Sequence, residues 1–183
     1  ELSTLLRNGA PECNLLIAQG NIAGTYRALG RLEEALRMRR DVYSGFLKLL
    51  GNDNRHTLIE GNGVANLLND LNRFEEAKSL LRKIMPVSQR VLGENDELKI
   101  AMRMTYARAL YDDDGATLDD LREAVTTLEE IERIAQRVLG GAHPVSAGIE
   151  RYLQKARAAL LTRQGVDMSA VCAALDAINP TYI

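Results

Sequence analysis

The sequence repeats itself at a fixed interval, and this repeat constrains the fold more than any other feature. Two sets of small residues recur 42 positions apart: Gly9, Gly51 and Gly93, and Ala23, Ala65 and Ala107. A period of this length is typical of stacked helical repeats, because one helix pair cannot bury its apolar face without neighbours. The sequence therefore predicts an all-α solenoid of antiparallel helix pairs.

Apolar spacing and turn residues indicate where the helices begin and end. Gly30 and Asn72 each interrupt a helix pair, and both residue types readily adopt the left-handed conformation that closes a helix. The predicted helices span residues 11–29, 31–50, 54–71, 73–92, 96–111, 118–139 and 144–164. Residues 1–7 resemble the end of an earlier helix, which suggests an excised piece of a larger protein, and the third pair carries an insertion at 112–116.

We predict one solenoid domain, residues 1–183. Its repeats are expected at about residues 9–50, 51–92, 93–139 and, in partial form, 140–165. Residues 166–183 are expected to form a C-terminal cap, with a short apolar helix at 168–178 that covers the last exposed face.

Composition and motifs exclude several classes of function. A net charge of −2 argues against a nucleic-acid surface, which needs a basic excess. No apolar run reaches the ~20 residues that span a bilayer. Cys13 and Cys172 fit no metal spacing, and two reduced thiols favour a cytoplasmic location. His56 and His143 have no ligand or nucleophile at a useful spacing, so neither an enzyme nor a cofactor or metal is expected.

The turn pattern resembles the tetratricopeptide repeat. Its first copy reads Ala23-x-x-Tyr26-x-x-x-Gly30-Arg31-x-x-Glu34-Ala35. The long period and the linker Leu139-Gly140-Gly141-Ala142-His143-Pro144 are similar to the kinesin light chain branch of that family. The resemblance covers about residues 9–160 and implies a right-handed superhelix, with departures at Asn72 and Gln154. It implies kinship in architecture, not association with kinesin.

The resemblance also implies a binding surface, because the first helix of each pair lines a concave groove for extended peptides in that family. Carried over by position, the groove residues are Arg27, Asn62, Asn66, Asn69, Met104, Arg108, Tyr111, Arg151 and Lys155. Gly20, Gly24 and Ala158 complete the twelve positions.

Three asparagines give the sharpest local signal. Asn62, Asn66 and Asn69 share one helical face although Asn is a poor helix former. A side-chain amide both donates and accepts hydrogen bonds, so this face suits a peptide backbone of any sequence. The alternative is that all three are merely solvated polar positions. Met104 and Tyr111 would either anchor a ligand or pack in the core.

The charge of the predicted groove favours an acidic ligand. Its twelve positions hold four basic residues and no acid, although Asp70 and Asp112 lie one position beyond them. The sequence thus predicts a module that binds an extended, acidic peptide segment of a protein partner, as a monomer or weak homodimer. The alternative function is a structural spacer or self-association module that assembles through its ends or its C-terminal helix.

Overall fold

The computed structural model describes residues 2–93, 96–141 and 143–165, and this part of the chain contains seven α-helices. They are α1 (Leu2–Ala28), α2 (Leu32–Leu50), α3 (Arg55–Asp70), α4 (Phe74–Val91), α5 (Glu97–Tyr111), α6 (Leu118–Leu139) and α7 (Pro144–Arg163). The prediction of an all-α solenoid of helix pairs is confirmed, and from α2 onward each predicted boundary lies within one residue of the observed one.

The helices form two layers. Each helix packs against the next along the chain, and in addition α3 packs against α5 and α5 against α7. The helices α3, α5 and α7 therefore make one continuous layer, α1 is joined to α3 by the Arg27–Asp70 ion pair, and α2, α4 and α6 lie behind them. The surface that α1, α3, α5 and α7 present away from the even-numbered helices is called the inner surface below.

The small residues of the repeat lie at the centre of the core. Six alanines are completely inaccessible to solvent: Ala23, Ala35, Ala65, Ala77, Ala107 and Ala124. Leucine and isoleucine side chains from both layers surround them. Small side chains at these positions let paired helices approach at the close end of the usual spacing of about 8–10 Å.

The first two pairs turn in the same way. Gly30 has φ +75° and Asn72 has φ +57°, the left-handed conformation expected from the sequence. In each turn the next amide bonds back to the helix, with Arg31 N donating to Tyr26 O at 2.9 Å and Arg73 N to Leu68 O at 2.8 Å. These bonds satisfy carbonyl oxygens at the helix end that would otherwise lack a donor.

The left-handed backbone at Gly30 and Asn72 predicts different effects of two substitutions on stability. Gly30→Ala is expected to lower the free energy of unfolding by about 1 kcal/mol, because a β-carbon is disfavoured at positive φ. Asn72→Gly is expected to leave stability unchanged or slightly increased. Urea denaturation of both variants measures this, and equal losses in the two would contradict the assignment of these turns.

The linkers between pairs also repeat their geometry. Thr57 Oγ1 donates to Gly51 O at 2.7 Å, and Ser146 Oγ donates to Gly140 O at 2.8 Å. The His143 side chain caps α7 by accepting a hydrogen bond from Val145 N.

The sequence expectation for the start of the first helix is wrong. The first helix does not begin at Pro11 after a separate segment, because α1 runs unbroken from Leu2 through Gly9 and Pro11. A proline removes one backbone donor, but its fixed φ is helical, so a helix held by its flanking turns continues. Pro86 lies inside α4 in the same way. The predicted helix at 168–178 lies outside the described residues.

The insertion in the third pair is tied to the array rather than fully solvated. Lys78 on α4 is only 3% exposed, and its Nζ lies 3.1 Å from Asp113 Oδ2. Ala116 is buried, and Arg163 at the end of α7 donates to Asp114 O at 2.7 Å. Thr117 and Asp120 then form a capping box at the start of α6.

Candidate functional site

The nine predicted groove residues lie on the odd-numbered helices but differ widely in exposure. Arg27, Arg151 and Lys155 are exposed, while Asn66, Met104 and Arg108 are partly buried. Asn62, Asn69 and Tyr111 are at most 8% exposed, so these three belong to the interior more than to a surface.

A chain of ion pairs connects three inner helices. Asp70 at the end of α3 accepts a hydrogen bond from Arg27 Nε at 2.6 Å and one from Arg108 Nη1 at 2.7 Å. Arg108 Nε also donates to Asp112 Oδ2 at 3.0 Å. Two of the four basic groove residues are thus neutralised by the protein itself, by the two acids that lie one position beyond the predicted columns.

Asp70 is the centre of this chain, and its ionisation reflects that position. Burial alone would raise the pKa of the Asp70 carboxyl, but the hydrogen bonds from Arg27 and Arg108 outweigh burial and hold its pKa below the ordinary value. The carboxylate is therefore charged at neutral pH and links α1, α3 and α5.

The asparagine face has a structural role that the sequence did not indicate. Asn69 Nδ2 donates to Thr105 O at 2.9 Å, and Asn66 Nδ2 donates to Thr105 Oγ1 at 3.1 Å. Both bonds cross from α3 to α5. Side-chain amides thereby join neighbouring inner helices along the line where a peptide backbone was expected.

The amide oxygens of the three asparagines differ in what they offer a ligand. Oδ1 of Asn62 and Oδ1 of Asn69 are buried and accept no hydrogen bond. Asn66 is only partly buried, and its Oδ1 receives no hydrogen bond from the described residues. Of the three, Asn66 is the one placed to accept a hydrogen bond from outside the array.

Thr105 is expected to contribute measurably to stability through this network. Thr105→Val keeps the shape of the side chain but removes the oxygen that accepts from Asn66, so we expect a loss of about 1 kcal/mol in the free energy of unfolding. The matched control is Thr25→Val, because Thr25 is exposed and bonds only to a carbonyl within its own helix. Chemical denaturation measures both, and equal stabilities would contradict the network.

The space between α5 and α7 is more apolar. Tyr111 packs edge-on against Tyr152 with ring centroids 6.2 Å apart, and burial raises the pKa of its hydroxyl. Met104 is partly buried and its terminal methyl lies near Gly148 on α7. Met104 is therefore available to a ligand at its exposed part, whereas Tyr111 supports the wall from within.

The α7 end of the inner surface carries exposed positive charge. Arg151 and Lys155 lie one helical turn apart, and neither forms an ion pair with the described residues. The Arg151 guanidinium lies 5.9 Å from the centroid of the Tyr152 ring, a weak cation–π contact. The charges of Arg27 on α1 and Arg108 on α5 are thus paired with carboxylates, whereas those of Arg151 and Lys155 on α7 are not paired with any described carboxylate.

One partly buried ion pair was not predicted from the sequence. Arg39 Nη1 on α2 lies 3.1 Å from Glu60 Oε2 on α3, and Arg39 Nη2 donates to Gly20 O at 3.0 Å. A β-carbon at Gly63 would lie 2.1 Å from Arg39 Nη1, so this glycine leaves room for the guanidinium. Gly20 is consequently buried rather than at the groove surface. The glycines at 20 and 63, which lie against Arg39, were the feature of the sequence that could have indicated this ion pair.

Among the described residues, no group of His, Cys, Asp or Glu side chains is arranged to hold a metal ion. In the same part of the chain, no helix combines the length and apolar character needed to cross a bilayer.

Comparison with known proteins identifies the kind of repeat. The family model described as tetratricopeptide repeat matches residues 15–56 and 62–97. No curated protein is significantly similar to the chain.

Two similar solved structures are crystal structures of a Podosopora anserina putative kinesin light chain with nearly identical TPR-like repeats. One has a TM-score of 0.64 at 23% identity and covers 90% of this chain and 74% of that chain. The other has a TM-score of 0.62 at 23% identity and covers 91% and 77%. Arrays of this fold typically act as non-enzymatic scaffolds for protein–protein interaction.

Proposed function

We propose that this chain, whose residues 15–56 and 62–97 match the tetratricopeptide repeat model, binds an extended peptide segment of a protein partner along its inner surface. The observation that carries this proposal is the inner layer in which α3 contacts α5 and α5 contacts α7, with α1 joined to α3 by the Arg27–Asp70 ion pair. A continuous layer offers one uninterrupted surface across several repeats, as solenoids that bind extended ligands require.

The distribution of charge on the inner surface determines where an acidic ligand is expected to bind. Arg27 and Arg108 already pair with Asp70, so they attract an acidic ligand weakly. Arg151 and Lys155 are exposed and have no described carboxylate partner. An acidic residue of the peptide therefore binds at the α7 end, where the attraction is not offset by the protein.

Neutral contacts support the remainder of the peptide. The exposed part of Met104 accommodates an apolar side chain next to the charged end, because a thioether adapts to irregular shapes. Asn66 Oδ1 accepts a backbone N–H of the peptide. Of the three asparagines predicted to bind a peptide backbone, only Asn66 is thus expected to contact the ligand. Asn62 and Asn69 lie in the interior and support the helix packing.

Random peptides displayed on phage provide a probe that assumes no partner. Peptides selected on the wild-type chain are expected to be enriched in Asp and Glu. Their affinity for the double variant Arg151→Glu, Lys155→Glu should fall at least about tenfold, measured by calorimetry at low ionic strength. The matched control is Arg122→Glu, Arg133→Glu, which reverses two exposed charges on α6, behind the inner layer.

The outcomes separate the charge argument from the location of the site. Acidic peptides that bind both double variants equally would place the site away from α7 and contradict the proposal. Selected peptides without acidic enrichment that still lose affinity for the α7 variant only would support the location and refute the charge preference.

A substitution of Asn66 needs a control, because the Asn66 side chain also bonds α3 to Thr105 on α5. Asn66→Ala is expected to weaken the selected peptide about fivefold, equivalent to one neutral hydrogen bond of about 1 kcal/mol. Thr105→Val breaks the same contact between α3 and α5 but leaves the Asn66 amide in place, so it should retain affinity. An equal loss of affinity in both variants would show that Asn66 acts through the packing of the helices.

A further inference from the structure

A cavity of about 330 Å³ lies behind the inner layer, between α4 and α6. Both of these helices pack against α5, which forms the floor of the cavity. This cavity, called the outer cleft below, is lined from α4 by Met85 and Ser88, from α5 by Lys99 and Arg103, and from α6 by Ile134 and Arg137. Small-molecule sites in proteins have volumes of about 300–1,000 Å³ and combine apolar walls with a few convergent polar groups. The outer cleft has the size and the lining of such a site.

Three of the lining residues bring positive charge to the outer cleft. Lys99 and Arg103 lie one turn apart on α5, and Arg137 lies in the last turn of α6. Arg103 pairs with Glu130 on α6, whereas Lys99 and Arg137 form no ion pair with the described residues. Three cations and one carboxylate leave an excess of two positive charges around a single cavity.

The position of Lys99 does not favour the helix that carries it. Lys99 is partly buried and lies in the first turn of α5, where the helix dipole disfavours a cation. Burial disfavours an unpaired charge as well. An anion in the outer cleft would offset both effects.

The equivalent space in the preceding repeat is filled by aromatic side chains. Tyr43 and Phe46 on α2 lie 42 positions before Met85 and Ser88. Phe46 is 1% exposed, and a β-carbon at Gly61 on α3 would lie 3.1 Å from Tyr43 Cε2. Two rings packed against a glycine thus occupy the place between α2 and α4. A methionine and a serine stand there between α4 and α6, and they leave room for a cavity.

The two cations of α5 are likewise specific to this repeat. The equivalents of Lys99 and Arg103 are Thr57 and Gly61 in α3, and Ser146 and Glu150 in α7. Neither of the other inner helices carries a basic residue at either position. The repeat itself therefore does not require a cation at these places, and the outer cleft combines two local departures, an open cavity and a positive lining.

We propose that the outer cleft binds a small organic phosphate, with the phosphoryl group held between Lys99, Arg103 and Arg137. A phosphomonoester carries a charge of about −1.5 to −2 at pH 7, which matches the excess of two positive charges. Guanidinium groups bind phosphate oxygens through paired hydrogen bonds, and an ammonium group adds a point charge. The organic part packs between Met85 and Ile134, which are partly buried on opposite walls. A carboxylate ligand carries a single charge and matches the cleft less well.

Phenyl phosphate is the probe, because it joins a phosphomonoester to a compact apolar ring. A titration of the full chain at low ionic strength, followed by phosphorus and proton NMR, is expected to show saturable binding. Phenyl phosphate should bind at least about fivefold more tightly than benzoate, which has the same ring but one charge.

A double substitution tests the location of the site. Lys99→Gln, Arg137→Gln is expected to weaken the binding of phenyl phosphate at least about tenfold, because it removes the two cations that lack a described partner. The matched control is Arg37→Gln, Lys83→Gln, which removes one exposed arginine from α2 and one exposed lysine from α4, both outside the outer cleft. The control should keep its affinity within about twofold. Unchanged helix content and melting temperature check that the variants fold.

A third variant should increase affinity, which a damaged fold would not do. Glu130→Gln removes the carboxylate that pairs with Arg103, so this guanidinium becomes available to the ligand. We expect phenyl phosphate to bind about threefold more tightly to this variant than to the wild type.

The proposal is overturned if phenyl phosphate does not bind the wild type saturably, or if both double variants lose affinity equally. Benzoate that binds as tightly as phenyl phosphate would refute a phosphate ligand. A short peptide with a central phosphoserine is the last probe, and tighter binding of this peptide than of phenyl phosphate would overturn the assignment to a small molecule. None of the substituted residues lies on the inner surface, so phage-selected peptides should bind these variants like the wild type, and a failure of either proposal leaves the other intact.

Discussion

Asp70→Asn is expected to lower the free energy of unfolding by about 2–4 kcal/mol at neutral pH. The carboxylate is 17% exposed and is shared by Arg27 and Arg108, so the substitution leaves Arg27 without a carboxylate partner and Arg108 with Asp112 alone. Arg108 is itself only 21% exposed, and the loss of one of its two carboxylates is costly in such a place. Urea denaturation measures the loss.

The effect of Asp70→Asn should depend on pH in a defined direction. A carboxyl whose pKa is lowered on folding stabilises the protein above its unfolded pKa of about 3.9, and this stabilisation is lost as the pH falls through the folded value. The difference between wild type and variant is therefore largest at neutral pH and decreases below about pH 4. Asp53→Asn is the matched control, because its partner Arg90 is 64% exposed and such a surface pair contributes about 0–1 kcal/mol. A pH-independent difference would contradict the ion-pair account.

Ala65→Leu is expected to cost about 1–3 kcal/mol, because Ala65 is completely buried where α3 packs into the array. The added atoms can enter only if helices that pack against each other move apart. Ala147→Leu, at an exposed position of α7, is the control and should change stability by less than about 0.5 kcal/mol. Thermal unfolding of both variants measures this, and a stable Ala65→Leu variant would refute close helix packing at this position.

The helices and their order could be predicted from the sequence because the signals are local and repeated. The period marks equivalent positions, Gly30 and Asn72 terminate helices by their backbone preference, and Thr117 with Asp120 forms a cap within one turn. The start of α1 was the exception. The sequence predicts a helix start at Pro11, although α1 runs unbroken through both Gly9 and Pro11.

The candidate site was harder to predict because its side chains are paired over long distances in the chain. Asp70 lies one position past the predicted columns, and its partners Arg27 and Arg108 are 43 and 38 residues away. Asn69 lies on the expected face, but its amide is bonded to Thr105, 36 residues later on the next inner helix. Periodicity identifies a face of a helix, and only the spacing between helices decides whether that face is open or bonded.

The central claim is that a peptide segment binds along the inner surface, and cross-linking of a selected peptide tests it most directly. A phage-selected peptide that carries a photoreactive benzophenone is irradiated with the wild-type chain, and the labelled residues are located by mass spectrometry. We predict labels on the exposed inner faces of α3, α5 and α7, close to Asn66, Met104 and Lys155. Labels confined to α2, α4 and α6 would contradict the account.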